Sequence, residues 1–472
     1  MGALPIAEFV SSASSASDSD RSAASDEDCL VDDGDGDLVA DSRLVSSVRA
    51  LLQGLGEDLS RNGLIKTPSR VANAFLSATK GYGLSAEQTI GGALFAEAGP
   101  GNGKGGGCGG MVVVRNIELF STCESCLLPF KLCCHIAYIP SEQRVVGLSK
   151  LPRVAEIFAA RLQSPDRLAN EIGGALWDGF KPLGVAVVGE TWHLECPREL
   201  RSSREPASWI RRSVCARKGS FEDDDRGSED WQEFVAMLQL SGSSQLSVTK
   251  KPAICPLLAG DAAAERSSSS HPNFETMVEA VVTLLRALGE DPTREELKLT
   301  PSRYVRWLLA STHGSRLSRD LILGNGVAAV EQDGDHHATM VAVLDLPFCS
   351  QCEHHLLPFS GVAHVGVLPA KNHPSSHPRA SRAILEKIVK LYSCRLQVQE
   401  RLTRQIADAV MSSTAASGVM VVVEAGHVCM ISRGVKKTGS TTGTLATMGD
   451  FAVHGKKRAE FLQMIATANS SK

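Results

Sequence analysis

Residues Cys349 to Phe359 read CSQCEHHLLPF, and a second thiol follows much later in His427-Val428-Cys429. Cys352 and His355 are three apart, the short arm of a metal site, and Cys429 can supply the distant arm. Three protein ligands of nitrogen and sulfur type leave a fourth tetrahedral position for water, the pattern of catalytic rather than structural zinc. His354 and His427 flank those ligands, so proton-transfer groups stand beside the proposed metal. Taken alone, the same residues also suit a structural zinc knot or plain burial, because CxxH pairs are common.

The elements that must position these residues belong to a chain of 472 residues, long enough for two or more domains. Its 49 basic and 53 acidic residues nearly balance, which gives no general attraction to nucleic acid or to an anionic membrane. An anionic ligand therefore needs a local basic cluster. Apolar runs such as Val419 to Val423 are far too short to span a bilayer. The 13 cysteines are odd in number, follow no signal peptide and fall partly in metal-like spacing, which fits a reducing cytoplasm.

Residues 1–42 form an acidic, Ser-rich tail expected to be disordered. Its Asp18, Asp20, Asp26, Glu27 and Asp28 argue against a transit peptide, and Ile6 stands where a myristoylation signal needs Ser or Thr. Leu44, Val48, Leu51, Leu52 and Leu55 recur at helical spacing, and Thr67-Pro68-Ser69-Arg70 opens a second helix. The glycine-rich stretch Gly99 to Gly110 contains Gly103-Lys104 but fails as a phosphate loop, since Ala98 and Gly105 replace the required Gly and Ser or Thr. It reads as a flexible loop. Met111 to Val114 and Ile136 to Ile139 read as strands, and Leu151 to Leu162 as a helix.

An internal repeat organises the rest. Cys123-Glu124-Ser125-Cys126-Leu127-Leu128-Pro129-Phe130 recurs as Cys352-Glu353-His354-His355-Leu356-Leu357-Pro358-Phe359. Thr67-Pro68-Ser69-Arg70 recurs as Thr300-Pro301-Ser302-Arg303, Arg161-Leu162-Gln163 as Arg395-Leu396-Gln397, and His193 falls on His427. The chain thus reads as two copies of one fold, residues 43–200 and 273–465, joined by a linker over 201–272 with a short helix near Trp231 to Leu240.

The copies differ in chemistry. Copy one has Ser125, Cys126 and Glu195 where copy two has His354, His355 and Cys429, so zinc is expected only in copy two. Copy one keeps Gly147-Leu148-Ser149-Lys150-Leu151-Pro152-Arg153, a strand-to-helix turn whose N–H groups and cations make a phosphate cradle, although a capped helix with solvated charges accounts for it too. Copy two has Ala383, Ile384 and Lys387 at those positions, just after a run altered from His373 to Pro378. Gln399 and Glu400, in Leu396-Gln397-Val398-Gln399-Glu400-Arg401-Leu402, can receive a purine edge or simply start a helix. Arg433, Lys436 and Lys437 add positive charge near Cys429.

With CEHHLLPF, LQVQERLT and HVCMISRG followed by Ser440-Thr441-Thr442-Gly443-Thr444, and with TPSR, CESCLLPF, HIAYIP and GLSKL in copy one, the chain resembles the type I GTP cyclohydrolase family in the tandem form seen in plants. The resemblance implies an α+β chain of two tandem tunnelling-fold domains, each an antiparallel sheet with helices packed on one face, preceded by N-terminal helices. It implies conversion of GTP and water to 7,8-dihydroneopterin triphosphate and formate, the first step of folate pterin synthesis, in a homo-oligomer with sites at interfaces. It implies zinc on Cys352, His355 and Cys429, activating water for attack on C8 of guanine. It gives His354 protonation of the ring nitrogen and His427 that of the ribose oxygen. Gln399 and Glu400 would recognise guanine, and Arg433 with Ser149, Lys150 and Arg153 the triphosphate. Because the cradle survives only in copy one, the copies read as complementary halves. A related enzyme of the same fold acting on another purine or pterin should lack this linked set of motifs. A non-catalytic zinc module on Cys123, Cys126, Cys133 and Cys134 is the rival of another class, and it leaves His354, His427 and Glu400 unexplained.

Overall fold

The computed structural model describes residues 41–96, 110–141, 144–195, 208–222, 229–240, 255, 271–317, 340–370, 381–414, 416–433 and 439–470. The tail up to residue 40, nearly all of the Gly99 to Gly110 loop and the His373 to Pro378 run lie outside the described residues. The chain divides into two compact units.

The first unit comprises Ala40–Cys196 and Trp209–Leu308. The helix Ser42–Gly54 is capped by the Asp41 carboxylate, which accepts from Arg43 N, and it buries the stripe Leu44, Val48, Leu51 and Leu52 read from periodicity. Pro68 stands in the first turn of Thr67–Thr79, where its missing N–H costs no hydrogen bond. Strands follow as β1 (Leu94–Ala96), β2 (Val112–Cys123), β3 (Pro129–Ile139), β4 (Arg144–Val146), β5 (Leu162–Gln163), β6 (Gly184–Glu195) and β7 (Ser208–Gly219). β1 and β4 form a small ribbon, and the main sheet runs β5-β2-β3-β6-β7. β2, β3 and β6 pair antiparallel, while the two-residue β5 pairs parallel with the end of β2.

The helices Lys150–Ala159 and Pro165–Phe180 bury Leu151, Val154, Leu168, Ile172 and Leu176. Along β6, Val187 meets the second of these helices at Gly173, whereas Ala186 and Val188 pack with Phe221, Phe234 and Leu238. Successive strand residues face opposite ways, so the helix Glu229–Gln239 covers the other face of the sheet. β7 and the helix after it belong to copy one's sheet rather than to a linker, because their apolar positions complete its second face.

The opening helices of copy two also sit in this first unit. Phe274–Ala287 packs against Ser42–Gly54 so closely that a methyl on Gly54 would lie 2.3 Å from Met277 Cγ. Asn273 Nδ2 donates to Gly54 O at 3.3 Å, and Thr300 Oγ1 donates to Glu124 O at 2.6 Å. Residues up to Leu308 thus cluster with the first compact unit, because two amphipathic helix pairs of the same pattern can bury each other's stripes.

The second unit is built on Leu309–Lys472. Its strands are β8 (Val341–Cys352), β9 (Pro358–Pro369), β10 (Leu396–Gln397), β11 (Ala416–His427) and β12 (Thr442–Gly449), in the order β10-β8-β9-β11-β12. Arg382–Ser393 and Gln399–Ser413 pack Leu385, Ile388, Leu402 and Ile406 against Val419, Val421 and Val423 of β11. The alternate residues Met420 and Val422 meet Phe461 and Ile465 of the helix Gly455–Ser470 on the opposite face. Both sheets repeat one detail: a bulge with Asn116 or Asp345 at positive φ, its N–H donating to His135 Nδ1 or His364 Nδ1. The two copies expected from the repeat are present as the tunnelling-fold domains that the resemblance implies, each with helices ahead of its sheet in sequence.

Candidate metal centre and active site

β8 ends at Cys352, and the chain turns through Glu353, His354 and His355 before β9 starts at Pro358. Leu356 closes this turn at φ 52°, with its N–H donating to Cys352 O at 2.9 Å. A non-glycine residue in the left-handed region carries strain, here held by the burial of Leu356. The turn brings Cys352 Sγ within 4.0 Å of His355 Nδ1. β11 runs antiparallel to β9, with His427 opposite Phe359, so Cys429 in the next short helix, Val428–Ile431, returns to the same place. One ligand atom from each of Cys352, His355 and Cys429 lies within 4.8 Å of the others.

That grouping fits a metal of intermediate softness. Around a tetrahedral zinc with bonds of about 2.3 Å to sulfur and about 2.0 Å to nitrogen, neighbouring donors stand about 3.5–3.8 Å apart. The 4.0 Å between Cys352 Sγ and His355 Nδ1 is about half an ångström wider than the sulfur–nitrogen value, and all three donors lie within 4.8 Å, a modest contraction for side chains on a turn and a helix. Cys429 donates a hydrogen bond to Cys352, which holds the Cys352 thiol well below its usual range, helped by His355 against the effect of burial. Cys429 is pushed up by the same bond and by burial. Metal binding would strip both thiols of their protons.

His427 stacks on Phe359, with ring centroids 4.6 Å apart and planes at 3°. Its Nε2 lies 2.8 Å from Gln399 Oε1. Gln399 Nε2 donates to Val423 O at 3.0 Å, Thr442 O at 2.8 Å and Thr444 Oγ1 at 3.2 Å. Both ends of this buried amide are engaged within the chain, one of them at His427, where sequence expected Gln399 to face a guanine edge. The burial signal was unreadable because Gln399 opens a helix, where polar residues are ordinarily solvated. Glu400, next in that first turn, is exposed and close enough for its charge to act on His427. Burial is the larger influence on His427 and holds its imidazole below the ordinary range, so the resting ring is neutral.

His354 is partly exposed, with Nε2 3.9 Å from Glu353 Oε1. Glu353 itself is buried and pairs with Arg401 Nη2 at 2.6 Å. Arg433 lies beyond Cys429 in the same unit, and its charge favours the Cys429 thiolate. Ser149, Lys150 and Arg153 occupy the first turn of Lys150–Ala159, where Ser149 and Arg153 are exposed and Lys150 is half-buried. Their copy-two counterparts Ala383, Ile384 and Lys387 lie in Arg382–Ser393, a helix capped by Ser381.

Copy one holds more than sequence predicted. Cys123 and Cys126 occupy the matching turn, with Leu127 at φ 58°, and they are joined by His193 and by Cys255. Four potential donors therefore gather in copy one as well as the three in copy two. Cys133 and Cys134, the partners considered from sequence, are adjacent on β3 and face opposite sides of the sheet. Cys255 escaped notice because no spacing rule links it to the others. Its one signal is the apolar patch Ile254 to Leu258 in a polar segment.

The GTP cyclohydrolase I family model matches residues 44–237 and 277–466. GTP cyclohydrolase 1 of Solanum lycopersicum is 44% identical over 440 residues, covering 90% of this chain and 92% of that protein. GTP cyclohydrolase 1 of Arabidopsis thaliana is 42% identical over 437 residues, covering 90% and 91%. GTP cyclohydrolase 1 of Synechococcus sp. (strain JA-3-3Ab) is 46% identical over 205 residues, 43% of this chain but 84% of that protein, as a one-copy relative would be. Among the described residues no helix is long and apolar enough to cross a membrane. Two family matches in tandem, with two plant relatives spanning both, make the conclusion plain: this chain is an enzyme of the GTP cyclohydrolase I family in its two-copy form.

Proposed function

We propose that the chain converts GTP and water to 7,8-dihydroneopterin triphosphate and formate at copy two, with zinc held by Cys352, His355 and Cys429. The observation that carries this reading is the convergence of those three donors beside His427, whose ring is held by Gln399 and Phe359. Zinc, when bound, supplies polarisation and a water of lowered pKa for attack at C8 of guanine.

The remaining work falls to side chains of this chain. Glu400 accepts from the guanine ring N–H and amino group, fixing the base. His354, at the rim, delivers a proton to the imidazole nitrogen as the ring opens. His427 rests neutral, so it takes up a proton before returning one at the ribose oxygen. Arg433 neutralises part of the triphosphate. Ser149, Lys150 and Arg153 would contribute the other phosphate contacts from copy one within a homo-oligomer, since copy two has only Lys387 as a cation among the three matching positions. The nearly balanced charge and the thiol-rich composition support a cytoplasmic setting.

Incubating the full chain with GTP and assaying formate together with pterin fluorescence after oxidation tests the reading. Equal amounts of both products are expected, and both should vanish in His355→Ala. Zinc-replete protein that leaves GTP intact would overturn it.

A further inference from the structure

Copy one's cluster is built differently from the catalytic one. Cys123, Cys126, His193 and Cys255 are all buried, with 1%, 1%, 4% and 6% of their surface exposed. One ligand atom from each lies within 4.8 Å of all the others. Cys126 Sγ is 3.4 Å from His193 Nε2, and Cys255 Sγ is 3.8 Å from it. Both separations are close to the roughly 3.5 Å that sulfur and nitrogen keep around one tetrahedral zinc. His193 Nδ1 lies 3.0 Å from Leu194 O, an acceptor only, so the ring proton sits on Nδ1 and the Nε2 lone pair faces the sulfurs. A histidine that ligates through one nitrogen is ordinarily oriented by such a bond from the other.

We propose that copy one carries a second, structural zinc ion, bound by Cys123, Cys126, His193 and Cys255. Three thiolates and one imidazole complete a tetrahedral set, so no position remains for water or substrate. This inference does not depend on the reaction assigned to copy two. It gives each substitution in copy one a chemical sense. Cys126 replaces the ligand His355, and His193, at the position of the proton-transfer residue His427, turns its free nitrogen to the metal. Cys255 adds the thiol that copy one lacks at the Cys429 position.

Metal analysis of the full chain purified under reducing conditions with zinc tests the proposal. About two zinc ions per chain are expected in the wild type and about one in His355→Ala, two sites with four and three protein ligands. In His355→Ala loaded with Co2+, the remaining site should give intense tetrahedral bands and thiolate charge transfer, reduced by about a third on adding Cys255→Ser, since one thiolate in three is lost. The counts on wild type and His355→Ala do not require any copy-one variant to fold. One zinc in the wild type and none in His355→Ala would overturn the proposal. So would mass spectrometry showing Cys255 disulfide-bonded to Cys123 or Cys126 in the fresh protein.

Discussion

His427 Nε2 and Gln399 Oε1 lie 2.8 Å apart, and the far end of the glutamine fixes which of them donates. Because Gln399 Nε2 gives its protons to Val423 O, Thr442 O and Thr444 Oγ1, its oxygen can only accept, and His427 carries the proton on Nε2. One buried amide thereby sets both tautomer and ring orientation. Gln399→Leu should lower kcat about tenfold to a hundredfold, the worth of one to three kcal/mol of lost hydrogen bonding, with little change in KM for GTP. Zinc content should stay normal. A raised KM at unchanged kcat would instead make Gln399 a binding residue.

The buried carboxylates at the start of the two metal turns are paired unequally. Glu353 meets Arg401, whose side chain is 32% exposed, while Glu124 meets both Arg167 at 2.8 Å and Arg294 at 2.7 Å. Glu124→Ala removes the carboxylate shared by two guanidinium groups, leaving Arg167 with Glu171 and Arg294 with Glu290, and it breaks the ion pair that holds Arg294 to the turn. It should cost about 2–4 kcal/mol in urea unfolding against about 1–3 kcal/mol for Glu353→Ala, both values reduced by the partial exposure of the arginines. Equal losses would remove Arg294 from the explanation.

His135 gives the first unit an acid sensitivity. It is buried at the sheet bulge, and burial, followed by the Arg115 charge, holds its imidazole below the ordinary value. The unfolded chain therefore takes up the proton first as pH falls. Stability is full above about pH 6.5 and declines below it until the folded-state ring protonates as well. Protonation also removes the Nδ1 acceptor used by Asn116 N–H. Unfolding free energies measured between pH 7.5 and 5 should fall with acid in the wild type and fall less steeply in His135→Gln. An identical slope in the two would exclude His135 as the source.

The convergence of Cys352, His355 and Cys429 was legible because the repeat and the CxxH spacing are local signals, and so were the two sheets. Cys255 was not, since a ligand contributed from a distant segment leaves no periodicity. Nor was β7, because SWIRRSVCARKG alternates Ile210, Val214 and Ala216 with arginines and reads as a charged linker until a sheet edge is there to receive it. The packing of Phe274–Ala287 on Ser42–Gly54 was hidden for another reason: an apolar stripe shows that a helix is buried, not against what.

If copy one supplies phosphate contacts to copy two of another chain, defects in the two halves should complement. Lys150→Ala chains, weakly active, and His355→Ala chains, inactive, should recover part of the wild-type rate when mixed and allowed to exchange. With random exchange about a quarter of the sites would combine both intact halves, the expected fraction for one defect in each of two independently drawn partners. Full activity of Lys150→Ala on its own would remove the cradle from the account.

Carbon labelling tests the central claim most directly. With GTP carrying 13C at C8, the full chain should move the label into formate in step with loss of the nucleotide, and the pterin product should carry none. Label retained in a purine, or formate released equally by His355→Ala, would contradict the assignment of this chemistry to Cys352, His355 and Cys429.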